Sequence, residues 1–191
     1  MRALRLALPA ALLAITIALP AAAEPMAPVA RDTIVFAGGC FWGVQAVFAR
    51  VKGVVSSTSG YAGGNVVRPS YEQVSTGQTG HAESVQVVYD PATVSIDQLL
   101  QVFFSVAHDP TELNRQGPDE GTQYRSAIFY TSDAQKETAE RVKAQWEKSG
   151  KFSRPITTEI TKAAAFYSAE EYHQKYLVKN PGGYTCHVLR D

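Results

Sequence analysis

The chain has 191 residues, of which 45% are hydrophobic and 19% charged, and its acidic and basic side chains are equal in number. This composition is typical of one globular domain with a substantial core. It excludes a low-complexity chain, and the absence of excess positive charge gives no reason to expect a nucleic-acid partner.

The N-terminus has the pattern of a targeting segment. A short basic region, an apolar run over residues 6–19 and a small-residue cleavage site indicate a secretory signal peptide over residues 1–23. An uncleaved membrane anchor is the alternative, which the short run and its prolines disfavour. Residues 24–31 are then a flexible leader and residues 32–191 the folded domain. We expect an exported, periplasmic protein with no stable membrane insertion after the signal is removed.

A strand and a helix are predicted to meet at Cys40. Residues 33–37 form an apolar run that indicates a buried strand, and the apolar spacing that follows predicts a helix over residues 40–51. Gly38 and Gly39 allow a tight turn between them. A helix N-terminus lowers the pKa of a thiol, so this position favours a reactive thiolate. A buried structural cysteine is the alternative.

The remaining elements alternate irregularly along the chain. Further strands are predicted over residues 54–61, 85–89, 127–130 and 156–161, and residues 71–76 are predicted to be short and extended. Helices are predicted from Ser95 to about His108, over residues 132–148 and over residues 169–178. Residues 111–122 are predicted to be a loop and residues 180–191 coil. This order favours a single α+β domain with a mixed sheet, packed helices and a coiled C-terminal tail.

The only two cysteines of the sequence, Cys40 and Cys186, both lie in the predicted exported part. A structural disulfide is the ordinary expectation in an oxidising compartment. Cys186, however, follows a Pro-Gly-Gly segment that favours mobility, and Cys40 lies at a predicted helix start. A redox-active pair fits these positions better than a structural disulfide does.

The Gly-Cys-Phe-Trp-Gly motif at residues 39–43 resembles the active-site motif of the A-type peptide methionine sulfoxide reductases. Further segments match the pattern of that family in order: residues 60–64, 80–83, 109–111, 114–119, 121–126 and 169–176. Together they cover the chain from about residue 32 to its end. The resemblance implies an α+β roll related to ferredoxin-like folds.

The resemblance also implies roles for individual residues. The implied catalytic residues are Cys40 as nucleophile, Glu83 as acid, Tyr61 and Tyr124 as hydroxyl donors, and Cys186 as resolving thiol. The implied substrate-binding residues are Phe41, Trp42 and Asp119. The substrate is then methionine-S-sulfoxide, free or in an oxidised protein, and a thioredoxin-like dithiol donor reduces the resulting disulfide.

Two other functions use the same residues. A general thiol oxidoreductase or thiol peroxidase would usually show a Cys-x-x-Cys motif or a Thr/Arg setting, and neither lies near Cys40. A non-enzymatic exported binding module held by a disulfide is the second alternative. The four histidines lack metal-ligand spacing. We therefore expect no metal. We also expect no cofactor, and we expect a monomer.

Overall fold

The computed structural model of this protein describes residues 30–184 and residue 186. The predicted signal peptide and most of the predicted leader lie outside the described residues. Within the part that is described, no helix is both long and apolar enough to cross a membrane.

The chain forms a sheet with helices between its strands. The strands are β1 (Asp32–Gly38), β2 (Val54–Ala62), β3 (Ala82–Tyr89), β4 (Arg115–Gln116), β5 (Asp119–Glu120), β6 (Ser126–Tyr130), β7 (Glu159–Lys162) and β8 (Phe166–Ser168). The α-helices are α1 (Phe41–Phe48), α2 (Tyr71–Ser75), α3 (Ile96–Val102), α4 (Asp133–Lys148) and α5 (Tyr176–Lys179). A π-helical turn (Phe103–Ala107) extends α3, and 3-10 turns span Thr122–Tyr124 and Glu171–His173.

Six strands make one sheet in the order β7-β6-β1-β3-β2-β8. Every neighbouring pair is antiparallel except β6 and β7, which are parallel. The predicted α+β domain with a mixed sheet is therefore confirmed. Strands β4 and β5 form a separate ribbon inside the segment that was predicted to be a loop.

Both faces of the sheet are covered, because alternate residues of the central strands enter two different clusters. Ile34 and Phe36 of β1 belong to the larger cluster, together with apolar residues of α1, α3 and α4. Val35 and Ala37 belong to a smaller cluster on the opposite face. A strand buried on both faces reads as a continuous apolar run, which is why the sequence predicted β1 correctly.

The segment at residues 71–76 is helical, so its prediction as extended chain was wrong. Helix α2 begins after Ser70, whose side chain accepts from the backbone N–H of Gln73 while the Gln73 side chain accepts from the Ser70 N–H. This reciprocal capping satisfies two backbone donors in a helix too short to show an apolar period.

The predicted helix over residues 169–178 is interrupted. Gln174 donates to and accepts from the backbone of Ser59 in β2, and the Lys175 N–H donates to Gln45 Oε1. Lys175 takes a left-handed conformation with φ of +54°. It separates the 3-10 turn at Glu171–His173 from α5. Side-chain contacts with distant elements therefore replace the helical hydrogen bonds.

Candidate active site

Cys40 lies between the end of β1 and the first residue of α1, at the N-cap position of the helix. Gly39 before it has a φ of +86°, which a residue with a side chain rarely adopts. The strand, the glycine turn and the helix start are placed as the sequence predicted, although α1 ends at Phe48 rather than near residue 51.

The first amides of α1 are directed at two other side chains. The Phe41 N–H donates to Glu83 Oε2 over 3.0 Å, and the Cys40 N–H donates to Cys186 Sγ over 3.3 Å. Both contacts are buried and join residues far apart in sequence. The helix N-terminus therefore holds the carboxyl group and the second thiol beside the first thiol.

The predicted lowering of the Cys40 pKa is wrong for this arrangement. A hydrogen bond with Cys186, burial and the nearby charge of Glu83 raise the pKa of the Cys40 thiol above its ordinary value. A hydrogen bond from the Trp42 backbone amide lowers it, but does not offset the others. While Cys186 lies against it, the protonated form of Cys40 is favoured, because the hydrogen bond with Cys186 and burial both disfavour the thiolate.

Glu83 is buried, with only 3% of its surface exposed. It belongs to β3 and shares a face with Val85 and Val87, which places it under the start of α1. Burial raises the pKa of the Glu83 carboxyl from 4.5 to about 8, although the hydrogen bond from the Phe41 N–H opposes this rise. Near neutral pH the carboxyl is mainly protonated and can donate a proton.

These groups line a cavity of about 290 Å³. Its walls are Cys40, Phe41, Trp42, Tyr71, Glu83, Asp119, Tyr124, Tyr176 and Tyr184. The Trp42 and Tyr176 rings stack with their centroids 3.7 Å apart. Aromatic rings thus occupy much of the wall, and polar groups converge near Cys40.

The C-terminal segment closes one side of this cavity. The Tyr184 hydroxyl donates to Asp119 Oδ1 over 2.7 Å. The sulfur atoms of Cys40 and Cys186 and a carboxylate oxygen of Asp119 lie within 4.8 Å of one another. The two cysteines are not bonded to each other. Three ligands are one fewer than a closed tetrahedral zinc site needs. The absence of a metal stays a prediction.

The chain matches the family model described as peptide methionine sulfoxide reductase over residues 32–191. It belongs to the peptide methionine sulfoxide reductase family. A relative from Mesorhizobium japonicum, named peptide methionine sulfoxide reductase MsrA 2, is 55% identical over 158 residues, covering 83% of this chain and 80% of the relative.

Solved structures of the family share the fold. The reduced form of Mxr1 from Saccharomyces cerevisiae is 40% identical, with a TM-score of 0.80 over 86% of this chain and 95% of that chain. Mxr1 in complex with Trx2 is 29% identical, with a TM-score of 0.59 over 86% of this chain and 94% of that chain. The predicted resemblance to this family is confirmed.

Of the residues that the family resemblance implied, all but Tyr61 line the cavity or, like Cys186, contact Cys40. The Tyr61 hydroxyl instead donates to Glu170 Oε2 over 2.8 Å, and Tyr61 is not among the residues that line the cavity. Tyr71 of α2 lies in the cavity wall instead. The predicted role of Tyr61 as a hydroxyl donor to the substrate therefore does not fit the position of its hydroxyl in this structure.

Sequence reasoning missed three wall residues, Tyr71, Tyr176 and Tyr184. Tyr184 lies two residues before Cys186, so its nearness to the predicted resolving thiol was an available signal. Tyr71 opens a segment that was predicted to be extended, and Tyr176 lies in a helix that was predicted to be continuous. Because both secondary-structure predictions were wrong, the sequence did not show that the rings of Tyr71 and Tyr176 face the cavity.

Proposed function

We propose that this chain reduces methionine-S-sulfoxide, free and in oxidised proteins, to methionine. The observation that supports this most strongly is the convergence of three groups at the start of α1: the Cys40 thiol, the Cys186 thiol and the mainly protonated carboxyl of Glu83. A nucleophile, a proton donor and a second thiol are what a two-electron reduction of a sulfoxide needs.

In the first step the Cys40 sulfur attacks the sulfoxide sulfur while Glu83 gives a proton to the sulfoxide oxygen. The proton that Cys40 loses restores the Glu83 carboxyl. The oxygen then passes to Cys40 as a hydroxyl group, which leaves a sulfenic acid and releases methionine. The Cys40 sulfur loses two electrons and the substrate sulfur gains them.

The cavity walls supply binding and further hydrogen bonds. The Phe41 and Trp42 rings hold the substrate methyl group, and Asp119, which accepts from the Tyr184 hydroxyl, lines the same cavity. Tyr71 and Tyr124 donate hydroxyl hydrogen bonds to the oxygen as charge develops on it. Burial raises the pKa of both phenols, so both keep their protons.

In the second step the Cys186 thiol attacks the sulfenic sulfur, water leaves, and a disulfide forms. A thioredoxin-like dithiol donor then reduces this disulfide by exchange. The yeast relative solved in complex with Trx2 supports such a donor. We also propose, from residues 1–23 alone, that the chain is exported and meets its donor in the periplasm. The test is the mass of the chain purified from that compartment, which should lack residues 1–23.

The function is tested with the two epimers of methionine sulfoxide, free and within a peptide, and dithiothreitol as reductant. We expect turnover of the S epimer and none of the R epimer. In the proposed arrangement the methyl group lies against Phe41 and Trp42 and the oxygen faces Glu83, so binding of the other epimer would exchange oxygen and methyl. Equal rates on both epimers, or no turnover of either, would contradict the proposal.

Replacing Cys186 by serine separates the two steps. We expect one equivalent of methionine per enzyme in a rapid burst, because the first step uses Cys40 and Glu83. Turnover with thioredoxin should fall at least about tenfold, because such donors act on a disulfide. Dithiothreitol should restore part of the turnover, since it is small enough to reach Cys40.

The melting temperature of the same variant provides the control. A structural Cys186 predicts a lost burst and a large drop in melting temperature. A resolving Cys186 predicts an intact burst and a melting temperature close to that of the wild type.

A further inference from the structure

His173 lies behind the wall of the cavity, at the end of a 3-10 turn, with 2% of its surface exposed. The indole N–H of Trp42 donates to His173 Nδ1 over 3.1 Å. A ring nitrogen accepts only when it carries no proton, so this contact requires the neutral imidazole with its proton on Nε2.

The imidazole is packed among the rings that form the cavity. Its centroid lies 4.5 Å from that of Tyr71, 5.0 Å from that of Phe41 and 5.7 Å from that of Trp42. Among the described residues, the buried Nε2 atom has no hydrogen-bond partner. An unpaired buried N–H lowers the free energy of unfolding, so His173 destabilises the fold at this position.

Residues on either side of His173 fix its position. Glu170 accepts from the Tyr61 hydroxyl over 2.8 Å and from the Tyr71 N–H over 3.0 Å. The Gln174 side chain bonds to both backbone groups of Ser59 in β2. The acceptor behind Trp42 is therefore anchored to the sheet and to α2, and its place does not depend on the substrate.

We propose that His173 is a positioning residue for sulfoxide reduction: as a neutral acceptor it fixes the Trp42 ring, and thereby sets the affinity of the cavity for the substrate methyl group. This inference rests on the proposed function. It assigns no chemical step to His173, which is not among the residues that line the cavity and acts by accepting the hydrogen bond from Trp42.

The contact depends on pH because protonation of Nδ1 removes the acceptor. Burial lowers the pKa of His173, while the carboxylates of Glu170 and Glu72 oppose this fall. The titratable Tyr71 and Tyr172 rings also pack against it and stay protonated, since the pKa of each is raised. The acceptor is therefore present at neutral pH and is lost on acidification.

Two substitutions test the proposal. In His173→Asn the side-chain oxygen takes the place of Nδ1 and can accept from Trp42, whereas His173→Leu keeps the bulk and loses the acceptor. We expect KM for a sulfoxide peptide to rise about tenfold in the leucine variant, as for a lost buried hydrogen bond, with kcat changed less. The asparagine variant should stay within about threefold of the wild type, on the same basis.

A second measurement does not depend on activity. The indole N–H proton of Trp42, identified by its loss in Trp42→Phe, should shift upfield in the leucine variant. It should also shift when the wild type is acidified, but not when the asparagine variant is. The measurement on acidification uses only the wild type and the asparagine variant, so it tests the proposal even if His173→Leu fails to fold.

A wild-type KM in His173→Leu, an equal loss in both variants, or an indole resonance that does not respond would overturn the proposal. Failure of the proposed function would appear differently. The wild type would then not turn over methionine sulfoxide, while the indole resonance would still report on the contact with His173.

Discussion

Replacing Cys40 by serine should abolish methionine sulfoxide reduction, with a loss of at least about a thousandfold in the first step. A serine oxygen is a much weaker nucleophile than a thiol sulfur, and it cannot take up the substrate oxygen as sulfur does. The measurement is the methionine released in a single turnover, with dithiothreitol present so that recycling does not limit the result.

The matched control is Cys186→Ser, which exchanges the same atoms at a residue in contact with Cys40. Both sites are buried, so both substitutions place a hydroxyl in a similar environment. Only the change at Cys40 should remove the burst. A substantial burst from Cys40→Ser would exclude Cys40 as the nucleophile and leave Cys186 as the alternative.

Replacing Glu83 by glutamine should slow the first step by about a hundredfold to ten-thousandfold near neutral pH, which is the usual contribution of a positioned acid. The amide oxygen can still accept from the Phe41 N–H, so the start of α1 is preserved. What the variant lacks is a transferable proton beside the sulfoxide oxygen. Single-turnover rates across the pH range measure this loss.

The ratio of wild-type to variant rates should itself depend on pH. With a pKa of about 8, the wild-type carboxyl holds its proton below that pH and loses it above. The ratio should therefore be largest near neutral pH and decrease above about pH 8. A ratio of one at every pH would show that Glu83 is not the acid.

Stability provides an independent control for Glu83→Gln. In the folded chain the carboxyl keeps its proton up to about pH 8, whereas its ordinary pKa is 4.5. Between these two values the folded state binds more protons, so the free energy of unfolding of the wild type falls as the pH rises. Glutamine does not titrate, so the free energy of unfolding of the variant should lack this fall with pH. A variant that keeps the same fall would show that another group causes it.

Several elements could be predicted because their causes are local. Helix α4 begins after Ser132, whose hydroxyl accepts from the Gln135 N–H, and this cap is visible in the sequence. The glycine turn before Cys40 and the apolar run of β1 are equally local. These patterns, with the ordered motifs, were enough to place the chain in its family.

The tyrosines show where local patterns fail. Tyr61 lies in the glycine-rich segment that matches the family, yet its hydroxyl bonds to Glu170, a residue 109 positions away. Tyr71 lines the cavity because it is the first residue of the short capped helix α2. That helix is too short to be predicted from the spacing of apolar residues. Strand pairing places Tyr61 opposite Glu83, on the same face of the sheet, so it is the distant partner Glu170 that directs its hydroxyl elsewhere.

The sequence by itself determined that a thiol lies at a strand-to-helix turn and that a second thiol and an acid belong to the same motif set. Only the tertiary structure decided their protonation. Glu83 holds its proton because β3 turns its side chain into the core beneath α1, and Cys40 holds its proton because Cys186, 146 residues away, lies against it. Local sequence fixes backbone turns and caps, whereas a pKa depends on burial and on neighbouring charges that only the folded chain brings together.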